Sequence, residues 1–203
     1  QAVDSNIKIL GLNKNSKILS YYSPKGIAFS VLSVYLALKL DCDLYIETFN
    51  GIDYINRIHD IRPTHTLLLP NVWKTLHKHP KWNTLDYSSL ETVITGSDFT
   101  PVGMLDELRE HNPGKVYNVY GSTESALFIW SNLDFQGIGE SGIVPIGKIY
   151  PLSSFAIQPL NDGDNTKGEL LIKSKFHALG DLKNGVVDAE RFPLLQNTVN
   201  ERI

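Results

Sequence analysis

The sequence predicts an α/β fold: a doubly wound, mostly parallel sheet with helices on both faces, followed by a small antiparallel β region. Up to about residue 130, short strand-like apolar runs alternate with segments whose apolar residues recur at helical spacing. Glycine or proline separates most of these segments. Such alternation is typical of parallel strands joined by helical crossovers.

Two β-α units are predicted near the start of the chain. Residues 17–22 form a strand-like run, and residues 27–40 carry apolar side chains around a helical period. Residues 44–46 give a second short strand. Isoleucines then recur at every third position over residues 52–61, which predicts one apolar helical face, and Pro63 ends that helix.

Three further strands complete the predicted sheet. Residues 64–69 form the third strand, which Pro70 ends, and a helix follows it. Residues 92–95 form the fourth strand, and residues 115–120 form the fifth, which runs into Gly121.

The helix between the fourth and fifth strands has a predicted start. Thr100 offers an N-cap hydroxyl, and Pro101 would then occupy the first helical position.

The sequence pattern changes near residue 131, and we place a domain boundary there, between residues 1–130 and a β-rich region of residues 131–203. Glycines and prolines there separate short strand-like runs, with no convincing helix before Glu190. The clearest strands are residues 155–157 and 168–172, joined by a polar turn.

Composition and charge exclude several classes of protein. The 203 residues are 42% hydrophobic and 20% charged, which excludes a mainly disordered chain. A net charge of −3 without a basic stripe argues against a nucleic-acid partner. Residues 27–40 are the most apolar stretch and are too short to span a bilayer. The single Cys42 forms no internal disulfide, so we expect a reducing, cytoplasmic location.

Two polar segments follow predicted strands, at residues 95–101 and 118–125. Ligands bind outside the carboxyl ends of the strands in an open parallel sheet. Glycines there allow close backbone approach, hydroxyls can bind phosphate oxygens, a glutamate can hold a hard cation, and a tyrosine offers a stacking face. This combination predicts a nucleotide site.

Residues 120–124, Tyr-Gly-Ser-Thr-Glu, resemble the Tyr-Gly-x-Thr-Glu motif of the adenylate-forming acyl-CoA synthetase superfamily. Residues 93–97 resemble that family's adenine loop, and residues 64–70 resemble its Thr-to-Pro strand. Three downstream segments resemble its Val-Gly-x-Pro turn, Gly-Glu-Leu strand and Thr-Gly-Asp-Leu motif, in family order: residues 146–148, 168–172 and 180–182. The resemblance covers essentially the whole chain, as a fragment of the large N-terminal domain.

The resemblance implies a role for individual residues. Tyr120 would stack on adenine, Thr123 would contact the α-phosphate, Glu124 would hold Mg²⁺, and Asp181 would bind the ribose hydroxyls. The residues implied to bind the nucleotide are Gly96, Ser97, Asp98, Asn118, Tyr120, Gly121 and Asp181. The residues implied to be catalytic are Thr123 and Glu124.

The implied reaction joins a small carboxylic acid to ATP, giving an acyl-adenylate and pyrophosphate, and then usually transfers the acyl group to a thiol such as coenzyme A. In-line attack on phosphorus requires mainly positioning and neutralisation of charge, which side chains of these types can provide. Tyr21, Tyr22, Val119 and the segment of residues 122–126 are candidates for the acyl pocket. The sequence does not identify the acid or decide between a monomer and a homo-oligomer.

The chain also departs from the family pattern. It begins at Gln1 and has Met104 as its single methionine, which indicates a fragment. The family's phosphate loop would precede it and the lysine-bearing C-terminal lid would follow it, so we expect poor catalysis by this chain alone. Residues 23–26 resemble the end of that loop, but they lie too close to Tyr120 in sequence to match the family's spacing. Leu179 stands where the Gly-Asp-Leu motif has a threonine.

Two other functions remain open at this point. The chain could be a reduced, non-catalytic homologue that binds an adenylate or acyl ligand, or an interaction module that has lost its ligand. Structural alternatives also exist for single residues. Tyr120 could be strand-end packing, Glu124 the acid of a first helical turn, and Asp181 a residue before a turn.

Overall fold

The computed structural model describes most of the chain, namely residues 2–48, 51–111, 114–123, 126–132, 142–149, 153–160, 167–174, 178 and 180–188. Its helical elements are α1 (Ala2–Leu10), α2 (Ile27–Phe29), a π-helical turn (Ser30–Val34), α3 (Tyr35–Leu40), α4 (Gly51–Ile61), α5 (Pro70–Leu76), a 3₁₀ turn (Trp82–Thr84) and α6 (Val102–His111). Its strands are β1 (Lys17–Ser20), β2 (Asp43–Ile46), β3 (His65–Leu67), β4 (Thr92–Gly96), β5 (Lys115–Ser122), β6 (Ala126–Asn132), β7 (Lys148–Ile149), β8 (Ser153–Pro159), β9 (Gly168–Ser174), β10 (Asp181–Lys183) and β11 (Val186–Asp188).

One sheet of seven strands organises the fold, in the order β2-β1-β3-β4-β5-β6-β7. Strands β1 to β5 are parallel, and β6 and β7 add antiparallel strands at one edge. Two separate antiparallel pairs follow, β8 with β9 and β10 with β11. The predicted fold class is therefore confirmed. The boundary near residue 131 stays a prediction, and β6 carries the large sheet across that position.

The sheet is covered on both faces because neighbouring residues of its strands point to opposite sides. On β4, Val93 joins one buried cluster and Ile94 joins the other, and Val116 and Tyr117 of β5 divide in the same way. The first cluster includes apolar residues of α4, α5 and α6. The second includes residues of α1, α3 and the π-helical turn. We call these two sides the α4–α6 face and the α1–α3 face.

Helix α1 was not predicted, and side chains of three strands hold its C-terminal end. His65 Nε2 and Thr92 Oγ1 donate hydrogen bonds to the carbonyl oxygen of Leu10, at 3.0 and 3.2 Å. Tyr117 Oη donates to the carbonyl oxygen of Ile9 at 2.9 Å. The last carbonyl groups of a helix have no partner within it, so these bonds satisfy groups that would otherwise be buried without one.

The predicted start of α6 is wrong. The helix begins at Val102, and Pro101 forms an isolated β-bridge with Ile143. The hydroxyl of Thr100 does not cap the helix but donates to Asn118 Oδ1 at 3.1 Å. The reason is tertiary, because the segment around Ile143 pairs with the backbone there: Val144 N donates to the carbonyl oxygen of Thr100.

Candidate functional site

A cavity of about 480 Å³ lies at the carboxyl ends of β4 and β5, where sheets of this topology bind ligands. Its lining combines polar and apolar side chains. The lining residues are Tyr22, Gly26, Ile27, Ala28, Leu32, Ser97, Asp98, Phe99, Thr100, Asn118, Val119, Tyr120, Gly121, Ser122, Thr123, Val144 and Ile146.

The loop after β4 turns tightly to reach the cavity. Gly96 has a φ of +145°, and a Cβ atom there would lie 2.2 Å from the carbonyl oxygen of Val119 on the adjacent strand. Only glycine fits this close approach of two backbones. Ser97 follows in the left-handed region with a φ of 64°, and Asp98 accepts a hydrogen bond from the backbone N–H of Phe99. The turn therefore exposes Ser97 and Asp98 at the cavity.

Asn118 is buried and fixes the arrangement of two loops. Its Oδ1 accepts the hydrogen bond of Thr100, and its Nδ2 donates to the carbonyl oxygen of Pro145 at 3.4 Å. Thr95 is paired with Asn118 in the sheet register and is fully buried, and its hydroxyl has no hydrogen-bond partner among the described residues. Asn118 thus holds the segment after β4 and the segment near Val144 against the end of β5.

Strand β5 changes shape where the tyrosine motif begins. The register between β5 and β6 shifts between Tyr120 and Gly121, as it does at a β-bulge. Bulges re-aim side chains and are common beside functional sites. The Tyr120 side chain is 40% exposed and lines the cavity together with Gly121, Ser122 and Thr123. An exposed ring on a bent strand end can accept a flat group by stacking.

The apolar wall of the cavity comes from the α1–α3 face. Ile27 and Ala28 of α2, Leu32 of the π-helical turn and Val119 of β5 supply apolar surface. Tyr22 lies beside them, and its hydroxyl is buried without a hydrogen-bond partner among the described residues. Burial raises the pKa of this hydroxyl far above its ordinary value, so it stays protonated. The cavity therefore suits a ligand that has both polar and apolar parts.

Comparison with protein families identifies the chain. The family model of the AMP-binding enzymes matches residues 2–180. The chain belongs to the AMP-binding enzyme family. The resemblance of residues 120–124 to the adenylate-forming superfamily is thereby confirmed.

Two curated relatives of this AMP-binding chain are acid–CoA ligases. Over 87 residues it is 32% identical to a medium/long-chain fatty-acid–CoA ligase, FadD8, of Mycobacterium tuberculosis; the match covers 42% of this chain and 15% of that ligase. Over 93 residues it is 32% identical to an indoleacetate–CoA ligase of Aromatoleum aromaticum, covering 46% of this chain and 16% of that enzyme. The AMP-binding chain thus spans a small part of the length of either relative.

A solved structure shares the fold. The anthranilate CoA ligase AuaEII, in complex with anthranoyl-AMP, superposes with a TM-score of 0.74 at 15% identity, covering 88% of this chain and 35% of that one. At this identity the likeness concerns the fold alone. No helix within the part of the AMP-binding chain that the structure describes is long and apolar enough to cross a membrane.

The structure brings together most of the residues that are predicted to bind the nucleotide. Those that line the cavity are Ser97, Asp98, Asn118, Tyr120, Gly121 and Thr123. Gly96 directly precedes Ser97 at the end of β4 and is not itself in the lining. Their roles toward a nucleotide stay predictions, since geometry alone does not identify the ligand.

Two predicted residues are not placed at the cavity. Glu124 lies outside the described residues, so its metal role stays a prediction. Asp181 is in β10 opposite Asp188 of β11 and is not among the cavity-lining residues. The described part of the chain also contains no group of three or more acidic, histidine or cysteine side chains suited to a metal ion.

The residues proposed for the acyl pocket lie on two different sides of the sheet, which the sequence did not show. Tyr22 and Val119 line the cavity, whereas Tyr21 packs on the α4–α6 face with its ring centroid 5.2 Å from that of Tyr54. Alternation along the extended chain after β1 explains the difference. Sequence reasoning also missed Leu32 and Val144, whose apolar character looked like ordinary core.

Proposed function

We propose that this chain is the nucleotide-binding part of an AMP-forming ligase that adenylates a carboxylic acid with ATP and Mg²⁺ and passes the acyl group to a thiol such as coenzyme A. One observation carries the proposal. The segments after β4 and at the end of β5 meet around one cavity that is lined by both polar and apolar side chains. A ligand made of a nucleotide and an acyl group likewise has polar and apolar parts.

Each part of the proposed ligand has a group that suits it. Tyr120 offers an exposed ring for adenine, and Ser97 and Asp98 line the same cavity. The Thr123 hydroxyl is available for the α-phosphate. Glu124 would hold Mg²⁺, which when bound offsets the charge of the phosphates. The apolar wall with Val119 would take the acid, excluding water from its hydrocarbon part.

The relatives favour the same assignment. The two curated relatives are named as acid–CoA ligases, and the solved neighbour holds an aryl acyl-adenylate. The curated relatives' substrates, a fatty acid and indoleacetate, differ, so the acid used by this chain is not transferred from them. We also propose a cytoplasmic location, because the single cysteine suits a reducing compartment.

The first experiment is a calorimetric titration of the chain with AMP, comparing Tyr120→Ala with Tyr35→Ala. Tyr35 is also exposed, at 51%, and does not line the cavity. We expect Tyr120→Ala to weaken AMP binding by roughly 1 to 3 kcal/mol, the range for a base stacked on an aromatic ring. Tyr35→Ala should leave the affinity unchanged. Equal affinities in folded variants would remove Tyr120 from the site.

The metal role of Glu124 needs its own test. Glu124→Gln removes the charge and keeps the size of the side chain. We expect it to reduce Mg²⁺-dependent ATP binding several-fold and to have little effect on AMP binding without metal, because the carboxylate attracts the cation. Equal losses in both titrations would contradict a metal role.

A further inference from the structure

A second, smaller cavity lies next to the main one. Its volume is about 10 Å³, and two side chains, Tyr22 and Leu32, line both cavities. The remaining lining residues come from the α1–α3 face and from the sheet: Leu10, Leu12, Ile18, Leu19, Ser20, Ser33, His65, Thr66, Leu67 and Ile94. The small cavity holds about one water-sized sphere, so it is a gap in the core rather than a binding site.

Tyr22 and Leu32 therefore form a partition between the ligand cavity and a deeper space. Leu32 lies in the π-helical turn and is 2% exposed. This turn interrupts the helix that would otherwise continue from α2 into α3, and such π turns are frequent at functional sites. Asn6 of α1 holds the π-helical turn in place, since its Nδ2 donates to the carbonyl oxygen of Val31 at 3.3 Å. The wall on this side is thus fixed by packing and by a hydrogen bond.

The far side of the partition is mostly apolar, and its few polar side chains are hydrogen-bonded within the fold. The hydroxyls of Ser20 and Ser33 form a buried hydrogen bond of 2.7 Å, and the hydroxyl of Thr66 donates to the carbonyl oxygen of Leu19 at 3.3 Å. These groups are satisfied by one another and need no ligand. The Tyr22 hydroxyl differs, because it is buried and has no partner among the described residues. An unsatisfied buried hydroxyl is costly, so hydrogen bonding within the described fold does not account for a tyrosine at this position.

The size of the main cavity limits what it can hold. Its 480 Å³ lies in the lower half of the range for pockets that bury one drug-sized ligand. On the proposed function, adenosine monophosphate and the acyl group share this space, and Tyr22 and Leu32 bound it on the side of the small cavity.

We propose that Tyr22 and Leu32 are the specificity-determining residues that end the acyl part of the site, so that this chain selects compact carboxylic acids over long-chain ones. This inference rests on the proposed function. Removal of either side chain joins the two cavities and lengthens the acyl site. Each methylene that becomes buried then improves binding roughly fourfold.

The test uses butanoyl- and octanoyl-sulfamoyl adenosine, which are stable analogues of an acyl-adenylate, and measures the ratio of their affinities by calorimetry. We expect the wild type to prefer the butanoyl analogue. Tyr22→Ala and Leu32→Ala should each shift the ratio at least tenfold toward the octanoyl analogue. Tyr21→Ala is the matched control, since the neighbouring tyrosine faces the opposite side of the sheet and should leave the ratio unchanged.

A further variant separates bulk from hydrogen bonding. Tyr22→Phe keeps the partition and removes the unpartnered hydroxyl, so it should retain the wild-type ratio with an equal or higher melting temperature. If the wild type binds AMP but neither alanine variant changes the ratio beyond the Tyr21→Ala control, the partition role is wrong and the proposed function stands. If the folded wild type binds neither AMP nor either analogue, the proposed function itself is wrong.

Discussion

The α/β body of residues 2–122 and the two hairpins, β8–β9 and β10–β11, stabilise themselves by different means. Every described buried apolar residue lies in the body except Val144. The hairpins expose apolar side chains instead, with Phe155 58% and Leu182 74% accessible. The body is therefore a packed core with helices on both faces, whereas the described parts of the hairpins depend mainly on strand pairing. This difference predicts where substitutions are costly.

The largest effect should come from Trp82, which is completely buried and whose indole N–H donates to Glu107 Oε1 at 2.8 Å. The indole of Trp73 donates to the other oxygen of the same carboxylate. Trp82→Ala leaves a cavity and removes one of the two donors, so we expect a loss of about 3 to 5 kcal/mol in the free energy of unfolding in urea.

The matched change in a hairpin is Phe155→Ala. Its ring is already largely exposed, so the loss should stay within about 0.5 kcal/mol. If the two substitutions lower the free energy of unfolding by similar amounts, the β8–β9 hairpin has a packed core of its own. That result would contradict the difference between the body and the hairpins.

A second pair of substitutions compares two glycines with the same local geometry. Gly96 has a φ of +145° and Gly180 a φ of +154°, and a Cβ atom would lie 2.2 Å from Val119 O at the first and 2.4 Å from Asp188 O at the second. We expect Gly96→Ala to cost roughly 3 kcal/mol, because strain and overpacking add in a sheet that cannot move apart. Gly180→Ala should cost about 1 kcal/mol, because a two-stranded hairpin can separate locally.

Thermal unfolding of both alanine variants measures this difference. AMP titration adds a second readout, since Gly96 directly precedes Ser97, which lines the cavity, whereas neither Gly180 nor Asp181 lines it. A larger loss at Gly180 than at Gly96 would contradict the view of the body as the more rigidly packed region.

The smallest effect concerns pH and a buried group of the body. His65 is 2% exposed, and burial lowers the pKa of its imidazole from the ordinary 6.5. The unfolded chain therefore binds the proton more readily, so the contribution of the neutral ring to stability is complete above pH 6.5 and is lost as the pH falls below it. Urea unfolding should show that the free energy of unfolding falls less between pH 7.5 and pH 5.5 for His65→Gln than for the wild type.

The exposed His59 supplies the control for this experiment. His59→Gln removes an imidazole whose side chain is 74% accessible and should keep the wild-type difference between the two pH values. If both variants reduce the pH dependence of the free energy of unfolding equally, the effect does not come from the buried ring of His65.

The sequence was sufficient for the parallel sheet because each strand and helix carries its own periodicity. It was also sufficient to place the two polar segments side by side, since parallel strands end at one edge and bring residues near Ser97 and Tyr120 together. It failed where tertiary contacts redirect a side chain. Thr100 looks like a helix cap, but its hydroxyl bonds to Asn118 from another strand.

The apolar wall of the cavity could not be predicted for a similar reason. Tyr21 and Tyr22 are the same residue type in adjacent positions, and only the register of the chain after β1 decides which one faces the cavity. Leu32 is one leucine among several in an apolar helix, and the π-helical turn that contains it has no distinct sequence pattern. Asp181 lies in the β10–β11 hairpin and is not among the cavity-lining residues, so its ribose role stays a prediction.

The bonds that hold α1 also bear on how the chain folds. Its two last carbonyl groups accept bonds from side chains that are 55, 82 and 108 residues away in sequence. Contacts of such long range require large loops to close first, and they slow folding. We therefore expect α1 to dock last, once β3, β4 and β5 are paired, so that protection of its amides from hydrogen exchange would mark the moment at which the sheet is complete.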